Sequence, residues 1–441
     1  MIRLCMLIAL LAASGARAAT MADQSHRSKV NGIDLITYRT NVKDVVTILG
    51  VLPAGDAMAE SGNVAIPTLS GMMLDRGTKT LDKFAISEKL DNVGAEISFG
   101  VGVQSLEIRA KCLRKDLPSI IALIAAELRT PALQLAEFNK AKQQFIGELE
   151  ASAQDSGARA AEAFDRAVFP EGHPNHPHTL NEYIAAARTA NLDEVRAFQA
   201  KYYGPAHMAL VVVGDVADAD TQAEIAKAFA GWSGGQDYVR PAKPAAATAS
   251  AEITLPLADK PSVTMILGQA SGLRYSDPDS LALRVGSAIL GRGFTGRLMG
   301  TVRDKEGLTY NIGASMGDDS IVDGEWQIAA SFAPPLLSKG VESTRRELLK
   351  WWKEGVAEQE LATRKQGLVG SYLVGLSTTS GLAETILANT QRGYDLSWLD
   401  GYPKAVKALT REQVNAAIKT HLNPSTMVLV EAGSVPAAAT K

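Results

Sequence analysis

The chain has 441 residues, 46% of them hydrophobic and 21% charged, an ordinary globular composition with length for two or three domains. A formal net charge of −3 speaks against nucleic acid, which calls for a basic surface. Two cysteines in so long a chain exclude a disulfide framework.

Residues 1–18 read as an export signal. Arg3 gives a positive start, Leu4 to Ala13 an unbroken apolar run, and Ala16-Arg17-Ala18 an A-x-A cleavage site. The run is too short to span a bilayer, so the mature chain is expected to have no membrane span. Cleavage after about Ala18 and a periplasmic or secreted location follow as expectations. The cut removes Arg3, Arg17 and no acidic residue, which moves the net charge to −5. It also removes Cys5, leaving Cys112 without a partner for an intramolecular disulfide. Cys112 follows the alternating run Ser105 to Ala110 and reads as a buried thiol at a strand end.

Val45 to Leu49 is β-branched and apolar, hence a strand, and a helical pattern follows through Ile66, Leu69, Met72 and Met73. Ala95 to Phe99 and Val103 to Ala110 read as a hairpin joined around Gly100-Val101-Gly102. Asp116 is the expected cap of a helix through Ile120, Ile121, Leu123 and Ile124. Helices are expected from Leu133 to about Ala153 and from about Ala158 to Val168. Asn191 with Glu194 makes a capping box before Val195, Phe198 and Tyr202. The strand Ala209 to Val213 ends at Gly214, and a helix follows to Phe229. Residues 231–251, rich in glycine and then in alanine and proline, read as a linker.

Beyond the linker the order begins again. Setting Pro205 on Pro424 also sets Val195 on Val414, Met208 on Met427, Gly214 on Gly433 and Val216 on Val435. Thr410 with Gln413 repeats the capping box. The economical account is a duplication: domains at 29–230 and 252–436 joined by 231–251. The fold expected is α+β. Each of two tandem homologous α/β domains has a mixed sheet with helices packed on one face, and the two face across a cleft.

The stretch Gly291–Gly313 has the richest chemistry. It approaches through Gly291, Gly293 and Gly296, passes a short helical segment, turns at Gly307 and enters a strand at Tyr310. Arg303 and Tyr310 flank the turn. Two long donors beside a strand edge can grip the carbonyls of an extended peptide, with Gly291, Gly293 and Phe294 as the approach surface. Taken alone, Arg303 is also a cation near a helix C-terminus and Tyr310 an ordinary strand opener. Gly291-Arg292-Gly293 does not follow a strand in a G-x-G-x-x-G register, so a nucleotide site is not expected. His173, His176 and His178 alternate with Pro174 and Pro177, with no cysteine or carboxylate at ligand spacing, so a metal there is the weaker reading. Trp326, Trp351 and Trp352 read as packing anchors.

The duplicated unit, its ending at 201–216 and the segment R-D-K-E-G-L-T-Y at 303–310 resemble the pitrilysin/insulinase-type zinc peptidases, above all the two-domain processing-peptidase-like subunits. G-H-P-N-H-P-H at 172–178 is similar to that family's G-H-P-Y loop, with Asn175 where tyrosine is usual. Catalytic members carry H-x-x-E-H on the first domain's opening helix. Alignment through Leu74 and Arg76-Gly77-Thr78 puts that motif on Thr68 to Met72. Thr68 and Met72 replace the histidines and Gly71 the general base, with Glu148 or Glu150 near the third ligand's place. The resemblance implies no metal and no cofactor in this chain, with zinc in a partner subunit. It also implies that Arg303 and Tyr310 orient the peptide and stabilise the oxyanion at that partner's site. The expected partners are a homologous zinc-binding subunit, in a heterodimer, and peptides. The alternative is a non-catalytic peptide-binding or assembly protein of the same fold.

Overall fold

The computed structural model describes residues 20–435 apart from 60–61, 242–243 and 246–248. The expected signal segment lies outside the described residues. Six strands of the first half form one sheet: β1 (Ser25–Val30), β2 (Ile33–Arg39), β3 (Val45–Leu52), β4 (Glu96–Val101), β5 (Leu106–Leu113) and β6 (Ala209–Gly214). Five strands of the second half form another: β7 (Glu252–Pro256), β8 (Val263–Ala270), β9 (Thr309–Gly317), β10 (Glu325–Phe332) and β11 (Val428–Gly433).

The first sheet runs β1-β2-β6-β3-β5-β4 and the second β7-β11-β8-β10-β9. Apart from the extra β1 the two orders coincide. The last strand of each half lies parallel to one neighbour, β6 to β2 and β11 to β7, and antiparallel to the other. β4 and β9 therefore occupy corresponding outer edges, beside the corresponding helices Ile66–Met72 and Ser280–Gly291. Both expected capping boxes form, at Asn191/Glu194 and at Thr410/Gln413. A third, Thr179/Glu182, opens the helix Leu180–Thr189. Asp116 does not cap through its side chain: its backbone is already helical there, which aims the carboxylate away from the free amides. The hairpin turn lies later than expected, at 102–105, with the Gly102 amide donating to the Ser105 carbonyl at 2.9 Å.

Strand side chains alternate between two faces, and both faces of each sheet are apolar. On one face Leu35, Ile48, Ile108 and Val212 pack beneath the first half's own helices. Leu267, Ile328, Phe332 and Leu429 do the same in the second half, where Trp326 stacks on Trp351 at 6.0 Å. The opposite faces are covered by exchange. Ala160, Phe164 and Val168 on the Ser156–Val168 helix of the first half pack on Ile266, Val428 and Val430 of the second sheet. Leu382, Ala383, Ile386 and Leu387 on the Thr379–Gln391 helix pack on Leu49, Val211 and Val213 of the first. Both exchanged helices begin with a hydroxyl bonded to the sheet they cover. Thr379 accepts from Thr47 at 2.9 Å, and Ser156 pairs with Thr264 at 3.1 Å. Large continuous apolar burial of this kind ties the halves into one body.

Cys112 is buried, and burial pushes its thiol up to about 12, which holds it protonated and unreactive. No helix among the described residues is long and apolar enough to cross a membrane.

Candidate functional site

The Ile66–Met72 helix carries Thr68, Gly71 and Met72 against β4 and β5. A Cβ on Gly71 would come within 2.4 Å of Val101 Cγ2 and 3.3 Å of Leu106 Cδ1. The space a catalytic glutamate needs is filled by the edge strand. Met72 is half-buried against the core. Thr68 Oγ1 donates to Asp56 Oδ1 at 3.1 Å, and the Tyr183 hydroxyl donates to Asp56 Oδ2 at 3.2 Å. Burial pushes Asp56 up to about 6 against the pull of these two bonds.

Glu148 accepts from Gln144 at 2.9 Å, and Glu150 is an exposed partner of Arg188 at 3.0 Å. Among the described residues no group of three or more His, Cys, Asp or Glu side chains is placed to hold a metal ion. Positions 68, 71 and 72 do not fit a zinc ion, because one hydroxyl, one thioether and a filled glycine position offer neither the donors nor the room.

The histidine loop joins the halves. His173 is buried and stacks on Phe169 at 4.7 Å. The Asn175 amide donates to His173 Nδ1 at 3.1 Å, so the ring proton sits on Nε2 and is donated to Asp323 at 3.2 Å. The second oxygen of Asp323 accepts from the Ala245 amide at 2.7 Å. Asn175 Nδ2 donates to the carbonyls of Asp318 and Asp323 at 2.9 and 3.0 Å. An amide here bridges two carbonyls of the other half, which a tyrosine phenol could not do. His176 donates to the Phe169 carbonyl at 2.8 Å. These histidines are structural fasteners.

Beside the loop lies a cavity of about 590 Å³ between the halves, lined among others by Asp56, Asp165, His178, Tyr183 and Asp318. Burial pushes both Asp165 and Glu325 well above the usual carboxylate range, helped by Glu325 and Asp318 at Asp165 and by Asp318 at Glu325. Glu325 is 4% exposed, and its Oε2 has no hydrogen-bond partner among the described residues. Sequence reasoning missed Asp56, Asp165 and Glu325, since nothing in a sequence distinguishes a buried carboxylate from a surface one.

In the second half the corresponding ground is open. A cleft of about 590 Å³ lies between the Ser280–Gly291 helix and the outer strand β9, lined among others by Gly291, Gly293, Phe294, Asn311 and Ser315. Gly291 is buried, and a Cβ there would stand 2.2 Å from the Ala314 amide nitrogen, so its smallness lets helix and strand touch. Gly293 turns with φ +68° and leaves Phe294 70% exposed.

Arg303 lies on the π-helical turn Met299–Lys305. Gly307, at φ +65°, reverses the chain and brings Tyr310 back beside it on β9. The guanidinium carbon sits 5.0 Å from the ring centres of both Phe294 and Tyr310. Among the described residues its one salt-bridge partner is Asp304, at 3.7 Å. Tyr310 is 83% exposed. The arrangement holds a cation against two aromatic rings and leaves Tyr310 open to solvent. The structure thus brings Arg303, Tyr310 and Phe294 together beside Gly293, while Thr68, Gly71 and Met72 lie on a helix of the first half.

Residues 189–368 match the family model described as the peptidase M16 inactive domain. The chain is 25% identical over 319 residues to an uncharacterized zinc protease of Streptomyces coelicolor, covering 71% of this chain and 69% of that one. It is 20% identical over 382 residues to the non-peptidase homolog YmxG of Helicobacter pylori, covering 85% and 86%. The crystal structure of a peptidase M16 inactive domain from Pseudomonas fluorescens has the same fold. That likeness has a TM-score of 0.84 at 23% identity and covers 95% of this chain and 99% of the other.

Proposed function

We propose that this chain, which carries a peptidase M16 inactive domain, is the non-zinc-binding subunit of a divided periplasmic peptidase. Its partner would be a homologous chain with an intact H-x-x-E-H helix. The observation that carries the reading is a contrast within one molecule. The first half's motif position is filled by Val101, while the second half presents Arg303 and Tyr310 together on an accessible rim.

In this reading the partner holds the zinc and with it the water-activating chemistry. This chain supplies donors. A guanidinium and a phenol aimed at a peptide carbonyl hold it in register. They then stabilise the negative charge that develops on its oxygen, an effect strongest where water is excluded. Stacking between Phe294 and Tyr310 restrains the Arg303 side chain before substrate arrives, which reduces the ordering cost at the transition state.

The test mixes this chain with a homologue that carries an intact H-x-x-E-H helix. Peptidase activity that neither chain has alone supports the reading, and peptide binding with no gain in turnover replaces it with a carrier or assembly role.

A further inference from the structure

Arg292 lines the β9 cleft, and Arg364 reaches the same turn from a neighbouring helix through Thr295. Arg292 is exposed in the turn after the Ser280–Gly291 helix and lines the cleft. Arg364, on the Glu358–Gly375 helix, donates to Thr295 Oγ1 at 3.1 Å. Loss of solvent and the positive charge of Arg292 both lower its pKa, so the two cations feel each other. Among the described residues neither has a carboxylate partner.

The carboxylates that could neutralise them are engaged elsewhere. Glu360, one turn before Arg364, is held by Arg297 through bonds of 2.7 and 2.6 Å and accepts the Ala357 amide at 2.9 Å. Asp319 is taken by Arg284 at the far end of the cleft. The cleft lining contains arginines, apolar side chains and neutral polar groups, and no aspartate or glutamate. Two guanidinium groups without a counter-charge, beside a mostly apolar groove and an outer strand, suit a carboxylate. Arginine binds carboxylates bidentately, and the apolar walls strengthen the bond by excluding water.

We propose that Arg292 and Arg364 form a carboxylate subsite, so that a peptide lying along β9 is selected for an acidic side chain or a free C-terminus at that end. This deepens the reading above and rests on its placement of peptide against Gly293, Phe294 and β9. The shared chemistry is a carboxylate, and its source is an outcome of the test.

The experiment uses four fluorescent octapeptides of one sequence: glutamate or glutamine at the penultimate position, each with a free or amidated C-terminus. Binding to the purified chain is read by anisotropy. A lost charge-assisted pair is worth roughly tenfold or more in affinity. The expected result is a preference of that size for carboxylate-bearing peptides, abolished in the R292Q/R364Q double variant and partly kept in R292K/R364K. Loss of preference on amidation alone assigns the site to the terminus, and loss on the Glu-to-Gln change alone assigns it to a side chain. Equal binding of all four peptides, or a preference that persists in the double glutamine variant, overturns the proposal. The two readings fail separately. Stimulated turnover of the partner without carboxylate preference ends the subsite alone. Carboxylate preference without stimulated turnover ends the divided-peptidase reading alone.

Discussion

Thr68 donates to Asp56 across 3.1 Å, at the position where the family resemblance leads one to expect a zinc-binding histidine. The same carboxylate takes a second hydrogen bond from Tyr183 at 3.2 Å, so this corner is closed by its own polar network. Three positions along the helix, Val101 fills the space opposite Gly71.

Restoring the motif as T68H/G71E/M72H is therefore expected to give no stoichiometric zinc by metal analysis. The new glutamate meets Val101, and such overpacking costs roughly 1–3 kcal/mol, visible as a lower Tm. Adding Val101→Gly is expected to recover most of the lost stability. A triple variant that holds one zinc per chain at unchanged Tm would show that the site is only substituted and not filled.

Arg303→Ala or Tyr310→Phe is expected to lower the peptidase rate of the mixed complex by about 10²–10³, the usual size for one oxyanion donor. Elution of the heterodimer on size exclusion should stay the same. Phe294→Ala removes one face of the stack, worth about 0.5–1 kcal/mol at an exposed site, and should cost only a few-fold. A larger loss for Phe294→Ala than for Arg303→Ala would reverse the assigned roles.

Burial pushes Asp56 up to about 6 and Glu127 up to about 8, and raises Asp165 and Glu325 as well. Each folded value lies above the ordinary carboxylate range, near 4. The folded chain thus holds more protons than the unfolded chain between about pH 4 and pH 8, and stability falls as pH rises through that window. Each such proton contributes at most about 1.4 kcal/mol per pH unit. Tm measured from pH 5 to pH 8.5 should decline, and Asp165→Asn should flatten the decline. A Tm that climbs over this range would contradict the burial of these groups.

Phe164 is 1% exposed, and its Cζ lies 3.0 Å from where a Cβ on Gly268 would stand. Phe164→Ala is expected to cost about 3–5 kcal/mol and to lower the denaturant midpoint of the whole chain in one transition. Gly268→Ala should also destabilise, because its Cβ would stand 2.2 Å from the Trp326 carbonyl oxygen. Two separate transitions in either variant would mean that the halves fold independently.

Much of this architecture could be read beforehand. The paired endings at Pro205 and Pro424 announced a duplication, and the two strand orders repeat it. Asn191 and Thr410 announced helix starts because their short side chains and the residues three places on can cap only in that geometry. The exchange of helices was not legible. The spacing of Ala160, Phe164 and Val168 states that the helix has an apolar face, but periodicity carries no address for the sheet that receives it. The seven-residue separation of Arg303 and Tyr310 drew attention to the pair, yet Phe294 as the second face of the stack depends on the Gly293 turn. The contact of Arg364 with Thr295, which brings it to the turn that holds Arg292, joins different elements, and no local pattern encodes it.

Because each sheet is roofed by a helix from the other half, a break in the chain between Phe229 and Glu252 would not by itself part the two halves. A protease cutting there should leave two fragments that still migrate as one particle. Produced from separate genes, each fragment would present a bare apolar sheet and an orphan helix, and each should be soluble only when its complement is made in the same cell.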